Sequence, residues 1–143
     1  MTAALVEARV AAVAAKDVEA LVAQYDEDVT LFDAVGALAD RGRDAERARL
    51  AQWFRAYRTE IGLRIADLEV VTGGDVAFAH YLFEVSGTMT DGTEVAMWVR
   101  STVGFRRDDD GWKIVHEHSS VPFDAATGAA LTTLVPASGT AAG

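Results

Sequence analysis

The sequence predicts an α+β fold in which three helices from the N-terminal half pack on a curved antiparallel sheet. Three observations carry this. Apolar residues recur at helical spacing over roughly the first sixty positions, the period then switches to alternation, and the turns "GGD", "DG" and "DDDG" cut the alternating part into four runs.

Taken in order, Val6, Val10 and Val13 fall on one face of a first helix. Asp17 reads as the N-cap of a second, which carries Val18, Leu21, Val22 and Tyr25. "DED" at 26–28 is a turn, "VTLFDAVG" a strand ending near Gly36, and "ALADRGRD" a loop. A third helix starts near Asp44 and runs to about Arg58, with Leu50, Phe54, Tyr57 and Ile61 along an apolar stripe and Trp53 beside it. The runs "GLRIADLEVVT", "VAFAHYLFEVSG", "TEVAMWVRSTVGFRR" and "WKIVHEHSSVPF" then form an antiparallel meander. Residues 1–123 make one domain. Residues 124–143, small and weakly patterned, form a tail that is loosely docked or disordered.

A chain of 143 residues, 50% hydrophobic, suits one core. The net charge of −9 argues against nucleic acid and anionic membrane as partners. No apolar run reaches the span of a bilayer and the start lacks a signal-peptide core, so a cytoplasmic location is expected. With no cysteine, disulfide and thiolate chemistry are excluded, and a metal would have to bind through His, Asp or Glu. His116 and His118 have a metal-ligand spacing, but two side chains do not make a site and no metal is assigned. Nucleophile motifs such as Gly-x-Ser-x-Gly are absent, and "RGRDAERAR" reads as a solvated helix start.

Alternation puts Trp98, Arg100 and Thr102 on one face of their strand and Met97, Val99, Ser101 and Val103 on the other. It likewise gives Trp112, Ile114, His116 and His118 a common face. The "DDDG" loop pairs Arg107 with Trp112. Unbroken pairing from there sets His118 opposite Ser101, whereas a one-residue bulge sets it opposite Arg100 or Thr102. The bulged register is the one adopted here.

"DVEALVAQYDEDVTLFDAVG" (17–36) and "RSTVGFRRDDDGWKIVHEHSS" (100–120) resemble the SnoaL-like and ketosteroid isomerase-like branch of the NTF2-like superfamily, over roughly residues 5 to 123. The resemblance implies a cone in which the helices and the concave face of the sheet enclose an apolar pocket. It also implies a homodimer formed through the sheet, an assembly that an outer face bearing Val99, Val103 and Val115 would favour. Asp33 matches the isomerase general base; as a structural residue it would cap a turn. The isomerase's two oxyanion donors, a Tyr and the protonated Asp that is the reference case for a neutral carboxyl, are not matched. Their positions fall near Arg9 and at Thr102 or Val103, which argues against a literal steroid isomerase.

In the bulged register Asp33, Arg100 and His118 form a catalytic group, with Tyr25, Phe54, Tyr57, His80, Trp98, Thr102 and His116 lining the pocket. Arg100 would anchor an oxyanion and His118 would exchange a proton. The structural alternatives are a salt bridge from Arg100 to Glu84 or Glu117, and core packing for the aromatics. The expected function is acid-base isomerisation, cyclisation or dehydration, without cofactor or metal, of a small apolar carbonyl compound such as a polyketide or steroid-like molecule. The alternative is a non-catalytic ligand-binding or dimerisation domain.

Overall fold

The computed structural model describes residues 2–137. Its elements are α1 (Thr2–Ala14), α2 (Val18–Val22), β1 (Tyr25–Phe32), β2 (Asp40–Arg41), α3 (Arg43–Arg55), β3 (Gly62–Gly73), β4 (Val76–Thr88), β5 (Glu94–Asp108) and β6 (Gly111–Ser120). Asp17 caps α2 by accepting the Ala20 N–H at 3.0 Å. Among the described residues no helix is long and apolar enough to cross a membrane.

The expected α+β architecture is present, but the sheet is mixed rather than antiparallel. Its six strands run in the order β2-β1-β6-β5-β4-β3, and β1 is parallel to β6 while every other pair is antiparallel. After β1, the chain crosses through β2 and α3 to begin β3 at the far edge of the sheet. Three hairpins then lay down β3 to β6 side by side, and β6 arrives next to β1 running in the same direction. Two of the hairpins are tight: Gly73 pairs with Val76 around a Gly74 with φ of 60°, and Asp108 pairs with Gly111. The first strand also starts earlier than expected. Tyr25 opens β1 instead of closing α2, because it pairs with Ile114, whose N–H donates to the Gln24 carbonyl at 2.8 Å.

Two apolar clusters make the core. One joins Val6 of α1 to Tyr25, Val29, Val103, Phe105 and Ile114. The other joins Leu21 and Val22 to Leu50, Phe54, Tyr57 and Val85. Phe54 and Tyr57, expected on a pocket wall, are therefore buried core, with Trp53 edge-on to Tyr57 at 6.4 Å.

The sheet has an inner face against this core and an outer face turned away from it. On β5, Val99, Ser101, Val103 and Phe105 are buried inward, which leaves Arg100 and Thr102 exposed on the outer face. This corrects the expectation that Val99 and Val103 would supply an apolar outer surface. On β6 the alternation itself is broken. Phe105 pairs with Ile114 and Gly104 with His116, so Val115 is an extra residue bulged out of the ladder. Ile114 and Glu117, three positions apart, both point inward, while His116 and His118 turn to the outer face. The bulge was expected and sets His118 opposite Thr102, but it also reverses the face on which the histidines lie.

Beyond β6, Phe123 bridges to Ala130, while Phe123, Leu134 and Val135 are largely exposed. The end of the expected tail, 138–143, lies outside the described residues.

Deletion of Val115 should remove the bulge and leave Ile114 and Glu117 together on the core side, whereas an alanine inserted between His116 and Glu117 should pair with Val103 in its place and turn Glu117 to the outer face. For the insertion an unfolding free energy lower by about 3–5 kcal/mol is expected in urea titration, the cost of orphaning a buried charge partner. An insertion variant of unchanged stability would show that the phase of β6 does not hold Glu117 inward.

Candidate functional site

The inner face carries charge where the pattern predicts core. On α1, Arg9 lies between Val6 and Val13 on the buried stripe. Its Nη2 donates to the Tyr25 hydroxyl at 2.8 Å, and its Nη1 forms a short ion pair with Glu117. The Tyr25 hydroxyl in turn donates to the Glu117 carboxylate at 3.2 Å. Burial alone would lower the Arg9 pKa, but Glu117 and Tyr25 outweigh it and hold the guanidinium well above its ordinary value. Burial likewise works against the Glu117 anion, and Arg9 reverses the effect, so this carboxyl titrates below its ordinary value of 4.5. Burial raises the Tyr25 phenol well above its usual range.

A second group meets the first from α3. Glu46 is 0% exposed, and Arg49 grips it through two parallel N–H bonds of 2.8 Å. The remaining Nη1 of Arg49 donates to Asp33 at 2.9 Å. Desolvation pushes the Glu46 carboxyl up in spite of Arg49. For Arg49 burial acts downward, yet the Glu46 hydrogen bonds and charge hold it above its usual value. Asp33 and Arg49 are each only 25% exposed, and Asp33 also accepts its neighbour's Ala34 N–H at 2.8 Å.

Between the two groups is a small cavity of about 10 Å³, lined by Leu31, Phe32, Asp33, Arg49, Glu117 and Ser119. It is about the size of one water molecule. One wall is apolar and the other presents two carboxylates and a guanidinium. A larger depression of about 500 Å³ lies at Gly87, Thr88, Glu94, Val95 and Ala96. It is open and brings no convergent polar groups together, so the chemistry belongs to the inner cavity.

A family model for the SnoaL-like domain matches residues 3–124. The chain belongs to the SnoaL-like domain family. An NTF2-like protein from Pseudomonas putida KT2440 is 34% identical, with a TM-score of 0.81 over 95% of this chain and 99% of that one. A ketosteroid isomerase-like protein from Erwinia carotovora atroseptica SCRI1043 is 23% identical, with a TM-score of 0.69 over 82% of this chain and 90% of that one. A candidate dehydratase of the NTF2-like family from Streptomyces avermitilis is 21% identical, with a TM-score of 0.72 over 83% and 92%. These last two establish the fold alone. No curated protein matches the chain.

Within this NTF2-like frame the expected site residues separate into two places. Asp33 lines the inner cavity, and Tyr25 holds one of its lining carboxylates. Arg100, Thr102, His118, His80, His116 and Trp98 gather on the outer face, so the expected grouping of Asp33 with Arg100 and His118 does not form. The reason is the phase of β5 and the bulge in β6. Cross-strand pairing sets Glu69, His80, Thr102, His118 and Phe32 in one row, and Val71, Phe78, Gly104, His116 and Thr30 in the next. Phe32 meets both imidazoles edge-on, at 4.9 Å from His116 and 5.5 Å from His118. Arg100 bonds Ser120 at 3.1 Å, not Glu84 or Glu117, which are taken by Arg64 and Arg9. Among the described residues no three His, Asp or Glu side chains are placed to hold a metal ion.

Arg9, Glu46, Arg49 and Glu117 were missed as site residues. Helical spacing held a signal for two of them. Continuing the stripe Phe54, Leu50 back one turn reaches Glu46, and Arg9 falls between Val6 and Val13.

Because the folded value for Glu117 is depressed, its pairing contributes stability that is complete above about pH 4.5 and lost as pH falls through the lower folded value. Glu117→Gln should therefore cost about 3–5 kcal/mol at neutral pH, with the gap to wild type closing in urea titrations carried out in acid. A gap independent of pH would mean that Glu117 acts by packing instead of charge.

Proposed function

We propose that this protein is an acid-base enzyme of the SnoaL type that moves a proton beside the carbonyl of a small, largely apolar molecule at the inner cavity. The observation that carries the reading is the three-way use of Arg49. Two of its N–H groups are fixed on buried Glu46, and the third reaches Asp33 at the cavity. A substrate carbonyl that takes this third donor displaces Asp33 from the ion pair and frees a carboxylate next to the α-carbon. Asp33 then accepts the α-proton, the C–H electron pair moves into the new carbon–carbon double bond, and the oxygen that gains charge is held by Arg49. Return of the proton to a different carbon completes an isomerisation; transfer of the proton from Asp33 to a β-hydroxyl, which then leaves as water while the enolate electron pair forms the α,β double bond, completes a dehydration. The cavity admits a carbonyl oxygen in the place of one water, and the body of the molecule lies outside it, beyond Asp33. Both carboxylates at the cavity disfavour an anionic substrate. No cofactor is needed for these steps.

The small size of the cavity favours a second reading, a non-catalytic domain whose interior serves stability alone. In both readings the protein is a homodimer through the outer sheet face, where Phe32, Phe78 and Val71 are exposed.

Hydrogen–deuterium exchange at the α-carbon of neutral cyclic ketones, from one ring to a four-ring steroid, tests the choice by proton NMR. Wild type should accelerate exchange for part of the series, and Asp33→Asn should lose at least about 100-fold of that acceleration while keeping its urea midpoint within about 1 kcal/mol. No acceleration by wild type anywhere in the series would favour the non-catalytic domain, and undiminished exchange by Asp33→Asn would remove Asp33 as the base.

A further inference from the structure

We propose that Ser119 is a further catalytic residue of the inner cavity, donating to the substrate oxygen beside Arg49, and that Ser101 behind it is the positioning residue that turns its hydroxyl there. The inference rests on the acid-base reading above and deepens it.

A hydroxyl with nothing to bond carries the inference. Ser101 is 4% exposed, and its Oγ is buried without a hydrogen-bond partner among the described residues. On the inner face of β5 it stands between Val99 and Val103, both buried, so a third valine would suit the packing and leave no polar atom behind. A buried hydroxyl left unpaired is stripped of water without compensation, and such a group in a native fold calls for an explanation.

The strand pairing supplies one. Ser101 lies directly opposite Tyr81 on β4 and Ser119 on β6. Ser119 is buried on the same face as Glu117 and lines the cavity. Asp33 and Ser119 each stand two positions beyond the paired Leu31 and Glu117, and they meet at the cavity that both line. The inner face thus carries one row of oxygen-bearing side chains, Tyr81, Ser101, Ser119 and Asp33, which ends at the base. Opposed side chains of neighbouring strands have Cβ atoms about 5 Å apart, a gap that two serine hydroxyls turned toward each other close with one hydrogen bond.

The ends of the row give it a direction. An ionised Asp33 only accepts. Burial pushes the Tyr81 phenol above its ordinary value in spite of Arg9 and Ser101 nearby, so it keeps its O–H at neutral pH. Between an end that accepts and an end that keeps its proton, the serine hydroxyls point toward the cavity. Ser101 donates to Ser119 Oγ, and Ser119 donates to the oxygen that fills the cavity. Donors linked in this way strengthen one another. A carbonyl oxygen there takes two donors, Nη1 of Arg49 and the hydroxyl of Ser119, and both bonds tighten as the oxygen gains charge.

Carbonyl-labelled cyclohexanone, followed by carbon NMR as the protein is added, reads the donors on the bound oxygen whether or not exchange takes place. Wild type should draw the carbonyl resonance downfield, and Ser119→Ala should lose a large part of that displacement. The same variant should lower kcat for exchange at the α-carbon about 100-fold, with KM within about threefold of wild type. Ser101→Ala should lower kcat about tenfold and reduce the displacement, and Ser101→Thr, which keeps the hydroxyl, should restore both. The urea midpoint of Ser101→Ala should be no lower than that of wild type, because the oxygen it removes has no hydrogen bond to lose. An unchanged displacement in Ser119→Ala would overturn the role of Ser119 and leave Asp33 and Arg49 standing. Wild-type displacement and kcat in Ser101→Ala would overturn its positioning role. A resonance that wild type does not move, with no exchange either, would overturn the acid-base reading itself.

Discussion

The buried guanidinium of Arg9 is the constraint on which much of the rest depends. A charge that far from water is tolerable only with an anion and further hydrogen bonds around it. Glu117 and Tyr25 supply these, and to do so the last strand must run beside the first, in parallel, with Glu117 turned inward. The bulge at Val115 reconciles that turn with the spacing, because Ile114 and Glu117, three positions apart, would fall on opposite faces of a regular strand. Arg49, Glu46 and Asp33 extend the same polar interior to the surface. A buried network of this kind is a poor way to gain stability compared with apolar packing of equal volume. Its presence in the middle of a small core is what the proposed site would account for.

The α+β order, the three hairpins and the third helix were legible in the sequence because each rests on local signals: helical spacing, alternation and glycine turns. The parallel β1/β6 contact was not, since nothing local to residues 25–32 says which strand lies beside them. Register was legible in part. The Asp109-Asp110 turn fixed Arg107 against Trp112, and the curled strands expected of the family suggested a bulge. What failed was the face. A bulge shifts the register by one residue and the phase of the side chains with it, so a bulged pairing that kept Ile114, His116 and His118 on one side was internally inconsistent. Asp33 was found because the segment 17–36 resembles the isomerase-like family, whose general base falls at that position; the local pattern by itself reads it as the cap of a turn. Arg9, Glu46 and Glu117 were passed over because charged residues are expected at the surface, although two of them sit on apolar stripes.

The two faces of the sheet thus carry different chemistry from neighbouring positions of the same strands. On β6, Glu117 belongs to the interior and His116 and His118 to the exterior; on β5, Ser101 and Val103 point in while Arg100 and Thr102 point out. A change to the phase of either strand would exchange the two sets. The inner network and the outer histidine rows are therefore coupled by backbone geometry, and Phe32 touches both.

Arg9 and Glu117 are also separated by 108 positions, which bears on how the protein is made. During vectorial synthesis the first helix emerges from the ribosome long before its anion exists, and it must wait, with an unpaired guanidinium on its otherwise apolar stripe, until nearly the whole sheet has been translated. A contact of such sequence separation is entropically expensive to close early. The nascent helix is thereby kept from committing to a partial core, and the sheet closes on it only when the strand bearing Glu117 is available.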